Sequence, residues 1–91
     1  MRRYQISGRP EILGFTNYQR VDEKLLFDDV LHRIKANVDI EMGSKKISPS
    51  EEYYLCRISG LPFTLIFDLN YGPSIWSESP EAICKLKNYF N

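Results

Sequence analysis

The chain has 91 residues, of which 43% are hydrophobic, 26% charged and 13% aromatic, enough for one globular domain with a single modest core. Its formal charge is zero at pH 7, which argues against nucleic acid as a partner, because displacing counterions needs a cationic footprint. No apolar run approaches the ~18 residues of a membrane span, and MRRYQISGRP lacks the apolar stretch of a secretory leader, so a cytoplasmic location is expected.

In chain order, Tyr4-Gln5-Ile6-Ser7 alternates and then meets Gly8-Arg9-Pro10, which predicts a short strand and a turn. Leu13 and Phe15 alternate with polar neighbours, favouring a second strand within residues 11–20. Asp22 is placed to cap a helix over residues 23–36, with acids in the first turn where the helix dipole favours them. At about 100° per residue, Leu26, Phe27, Val30, Leu31 and Ile34 form one stripe, and Leu25, Asp28, Asp29, His32 and Ala36 lie opposite. Residues 38–42 read as a strand, and residues 43–50, rich in Ser, Lys and Pro, as a polar loop.

Residues 52–58 and 61–69 are the strongest strand candidates. Ser59-Gly60 separates them as a hairpin turn, and the second is a nearly continuous apolar run suited to a central position. Within it Phe63, Leu65 and Phe67 share one face, while Thr64, Ile66 and Asp68 share the other. Ser74 to Ser77 reads as a last short strand. Ser79-Pro80-Glu81 then opens a helix with a capping serine, a first-turn proline and an acid. Its apolar stripe is Ala82, Ile83, Leu86, Tyr89 and Phe90, with Cys84 on the other side. These elements predict one α+β domain: a small, mainly antiparallel sheet of four to five strands with two helices packed on one face.

The chain offers little for catalysis. It has a single histidine, His32, within helical reach of Asp28 and Asp29, but the face reads as a solvated one with ordinary ion pairs such as Asp29 with Arg33. Cys56 and Cys84 read as free thiols without a C-x-x-C motif, and Cys84 as a partly buried small apolar residue. Asp68-Leu69-Asn70-Tyr71-Gly72 has the flavour of a calcium loop, but its glycine falls one place early and the twelfth position is Ser79, not glutamate. A tight reversal through Asn70 and Gly72 explains it. No metal, cofactor or catalytic residue is assigned, and the chain is read as non-enzymatic.

Two features point to a protein partner. Residues 21–52 hold eight acids against five bases, and Leu25 stands among Asp28, Asp29 and His32 on one helix face. Tyr53, Tyr54, Tyr71 and Trp76 form an aromatic surplus greater than two short helices can cover, and uncovered patches of that kind favour association. Leu25, Asp28, Asp29, His32, Tyr71 and Trp76 are therefore the expected contact residues. The segment YYLCRISGLPFTLIFDLNYGPSI, followed by the SESPEAI helix start, resembles the small immunity proteins that neutralise toxins in bacterial competition systems. That resemblance implies occlusion of a cognate toxin, with an acidic surface over the basic site of a nuclease. The alternative is a sensing or accessory domain that binds a small molecule on the aromatic sheet face.

Overall fold

The computed structural model describes residues 2–16, 23–68 and 72–90. Six strands and two helices follow one another as β1 (Arg2–Tyr4), β2 (Ile12–Thr16), α1 (Glu23–Ala36), β3 (Ile40–Ile47), β4 (Glu51–Ile58), β5 (Leu61–Asp68), β6 (Gly72–Trp76) and α2 (Pro80–Tyr89). The strands form one antiparallel sheet in the order β1-β2-β6-β5-β4-β3. The α+β expectation stands, but the sheet has six strands and not four to five.

The bounds of the strands depart most from expectation at the sheet's edges. β3 runs on through Gly43 to Ile47, where a polar loop was expected. Its register against β4 slips between Met42 and Lys45, and its outer half carries Lys45, Lys46 and an exposed Ile47. An edge strand with a bulge and lysines resists pairing with another chain, and it loses the apolar alternation by which strands are recognised. β1 is displaced by a few residues from the expected Tyr4–Ser7, because residues 6–12 close two backbone turns, Arg9 N–H to Ile6 O at 3.0 Å and Ile12 N–H to Arg9 O at 3.2 Å.

The central hairpin follows the local chemistry. Ser59 and Gly60 both have positive φ, 50° and 82°, as a two-residue turn matched to strand twist requires. Leu61 then pairs with Ile58, and the whole of β5 is in register with β4. Gly72, at φ 79°, re-enters the sheet opposite Asp68. Asn70 and Tyr71 lie outside the described residues, as does Asp22, the expected cap of α1.

One face of the sheet is covered by both helices. Leu13, Ile75 and Leu65 stand side by side across β2, β6 and β5, each fully buried. At about 1.5–3 kcal/mol per buried aliphatic side chain, this row contributes a substantial part of the driving force for folding. α1 lies against β6 and β3, and α2 against β5, β2 and β4. Phe27 of α1 meets Phe67 at 4.9 Å between ring centroids, and Phe90, just after α2, meets Phe15 edge-on at 4.8 Å. The predicted stripe of α1 is the buried one, with Leu31 only half-buried. On α2, Tyr89 departs from the predicted stripe: the residue is 40% exposed, and its hydroxyl donates to Arg33 O at 2.7 Å, tying the helix ends together.

The link from β6 to α2 is fixed by hydroxyls. Ser77, 2% exposed, donates to Pro62 O at 2.7 Å and accepts from Ser79 N–H at 3.0 Å. Ser79 Oγ in turn accepts from Ala82 N–H, the N-cap bond its sequence predicts. This turn sends α2 back beneath the sheet, and among the described residues the opposite face carries no helix.

Candidate functional site

The expected contact residues do not form one patch. Leu25 is 58% exposed on the outer side of α1, next to His32 and the two aspartates. The acidity there is offset within the helix: Lys24 Nζ lies 3.5 Å from Asp28, and Arg33 Nε 3.4 Å from Asp29, each an i,i+4 pair. Asp29 thus takes Arg33, as the sequence suggests, and His32 has no ion pair among the described residues. Trp76 is on the other side of the molecule. Its neighbour Ile75 points into the helix-covered core, so the Trp76 indole emerges on the open face. Tyr71 lies outside the described residues.

The open face can be read off the strand register. Ile12, Trp76, Thr64 and Leu55 are direct neighbours across β2, β6, β5 and β4. The adjacent row runs Tyr4, Gly14, Ser74, Ile66, Tyr53 and Lys46 from one edge to the other. Leu55 is 53% exposed and Trp76 38%. Tyr4 lies flat over Gly14, where a Cβ would collide with its ring, so the glycine is what lets the tyrosine rest on the sheet. Of the aromatic surplus noted in the sequence, Tyr53 and Trp76 fall on this face, whereas Tyr54 is turned to the helix side, 6.4 Å from Phe27 between ring centroids; Leu55 and Tyr4, which also lie on the open face, were not among the expected contacts. The phase of β4 against the buried Phe63, Leu65 and Phe67 could have revealed Leu55.

Hollows indent this face, and two of them are lined by described residues. The larger, about 700 Å³, has Leu55, Pro62, Thr64 and Trp76 in its apolar lining and Glu41, Arg57 and Glu78 as its charged groups. The smaller, about 420 Å³, lies near Tyr4, Ile12 and Ile66, with Arg9, Glu51 and Asp68 beside it. Each holds two carboxylates and one guanidinium, so the face is apolar with a mixed, slightly acidic rim. Arg9 also pairs with Glu11, whose carboxyl it holds below the usual range.

The thiols divide by face as well. Cys56 is buried on the helix side, where loss of water pushes its pKa from 9.0 up to about 11 and suppresses the thiolate. Cys84 is exposed on α2, contrary to the partial burial expected for it, because it lies on the side of that helix turned away from the sheet, where no element packs among the described residues. Among the described residues no cluster of three or more His, Cys, Asp or Glu is placed to hold a metal, and no helix is long and apolar enough to cross a membrane.

Fold and site together describe a two-layer α+β protein with one helix-covered sheet face and one open, indented, partly aromatic face. No family model, no curated protein and no solved structure matches the chain.

Proposed function

We propose that this protein is a non-enzymatic binding module that docks another protein on the open face of its sheet, and that it acts as an immunity protein by covering a toxin's active site. The observation that carries the reading is the row Leu55–Thr64–Trp76–Ile12, in which a half-exposed leucine and tryptophan share one indented surface that no helix covers. Aromatic anchors beside a depression are the usual energetic centre of a protein interface. The immunity assignment draws on the sequence resemblance.

The surface reading differs from the sequence expectation in its centre. The outer side of α1 offers Leu25, but Asp28 and Asp29 already have cationic partners and project less unbalanced charge than their spacing suggests. The sheet supplies area and anchors instead. Binding of a small molecule remains the second reading, favoured by the volume of the larger hollow, which lies within the ~300–1,000 Å³ of ordinary ligand sites.

The test is protection of growth. The chain is co-expressed with the toxic product of the neighbouring gene, alone or as the Leu55→Asp/Trp76→Ala variant. The native chain should restore growth, and the variant should lose protection at unchanged abundance and melting temperature. Full protection by the folded variant would remove the open face from the interface. A native chain that protects against no neighbouring toxin would overturn the immunity reading itself.

A further inference from the structure

Resting on the open-face reading, we propose that the larger hollow is a receptor for an arginine side chain of the protein partner, with the guanidinium stacked on Trp76 and held by Glu78.

Three observations lead there. The first concerns the ring. On the covered face, Phe27 and Phe67 meet each other, and Lys24 Nζ stands over them at 5.5 and 5.9 Å from their centroids. Trp76 has no such companion: among the described residues no cation and no second ring rests on its indole. Tryptophan is the side chain whose face attracts cations most strongly.

The second concerns charge. Around α1 and the β3–β4 edge, Lys24 pairs with Asp28, Arg33 with Asp29 and Lys45 with Glu52. Glu41, Arg57 and Glu78, the charged lining of the hollow, make no ion pair among the described residues. Glu41 and Arg57 are direct cross-strand partners, so each offsets the other's field. That leaves Glu78, two residues beyond Trp76, as the uncompensated charge. A cationic occupant is favoured over an anionic one, and a purely apolar one would leave Glu78 to be desolvated.

The third concerns shape. Leu55, Pro62 and Thr64 provide a low-polarity wall for the methylene stem of a long side chain, leaving its charged end at the rim. Arginine suits this better than lysine. Its plane stacks flat on an indole, it is more weakly hydrated, and its fork can meet a carboxylate with two N–H groups.

The chain's single tryptophan makes the test direct. N-acetyl-arginine amide is titrated into isotopically labelled full-length protein at low salt, following the Trp76 indole N–H resonance. A saturable shift is expected with a dissociation constant on the order of millimolar, as one side chain alone can give. N-acetyl-lysine amide should bind about threefold more weakly or less, and N-acetyl-leucine amide should give no saturation. Glu78→Gln should weaken the arginine probe about fivefold with an unchanged melting temperature. No saturable shift, equal shifts from the leucine probe, or an unaltered response in Glu78→Gln would overturn the proposal. If the arginine probe fails while Leu55→Asp/Trp76→Ala still loses protection, the open face stands as the interface with a different anchor. If the probe binds and the variant still protects, the hollow takes guanidinium but is not the toxin's docking site.

Discussion

Leu65 and Leu55 occupy adjacent central strands, and their environments differ completely. Leu65 stands beside Ile75 under the helices and has no exposed surface; Leu55 stands beside Thr64 on the far side and is 53% exposed. The same side chain serves cohesion on one face and is left available on the other. The contrast teaches that the two faces of the sheet differ in kind: one is committed to holding the molecule together, and the other leaves large apolar side chains in contact with solvent.

The sharpest way to break this comparison is to truncate both leucines. Leu65→Ala removes a fully buried side chain and should cost about 3–5 kcal/mol by chemical denaturation. Leu55→Ala should stay within about 1 kcal/mol of the native chain. Similar losses at the two sites would mean that the open face is covered in solution, either by the chain's own remaining residues or by a second copy.

The covered face should also announce itself through pH. Cys56, immediately after Leu55 but turned inward, keeps its proton up to about pH 11 when folded, against 9.0 ordinarily. Its folded pKa is raised, so its stabilising effect is complete below pH 9 and is lost as pH climbs from 9 to 11, amounting to about 2–3 kcal/mol. Other groups titrate in the same range. The relevant measurement is therefore the difference in denaturation free energy between the native chain and Cys56→Ala, followed from pH 8 to 11. The native chain should lose more by that amount; parallel curves would place the thiol in contact with water.

The smallest effect is expected outside α1. Asp28→Lys with Asp29→Lys breaks two exposed i,i+4 pairs and should change stability by about 1 kcal/mol or less, fading with salt. The same double variant asks whether the helix face contributes to binding. Protection should survive, since the anchors lie across the sheet. A loss of affinity well over tenfold would move the contact surface to Leu25, Asp28, Asp29 and His32.

Much of the fold was readable along the chain because the relevant chemistry is local. The stripe on α1, the Ser79-Pro80 start of α2 and the Ser59-Gly60 turn each rest on residues a few positions apart. The outer half of β3 was not readable, since Gly43 to Ile47 pairs with β4 without burying an apolar face. The site was readable in part. Trp76 declared itself by type, whereas Tyr4 joins the same face only because Gly14 leaves room for its ring. The acidic character expected of α1 was blunted by Lys24 and Arg33 at i,i+4 spacing, visible in the sequence but outweighed there by the count of acids.

Periodicity and turn chemistry by themselves determined the helices, the central hairpin and which residues of each element point the same way, since those depend on backbone geometry over a handful of positions. Tertiary structure decided which side of the sheet both helices cover, and so whether Leu55 or Leu65, Trp76 or Ile75, meets water. That choice depends on how α1 and α2 pack across distant strands, a balance of buried area that no short stretch of sequence contains.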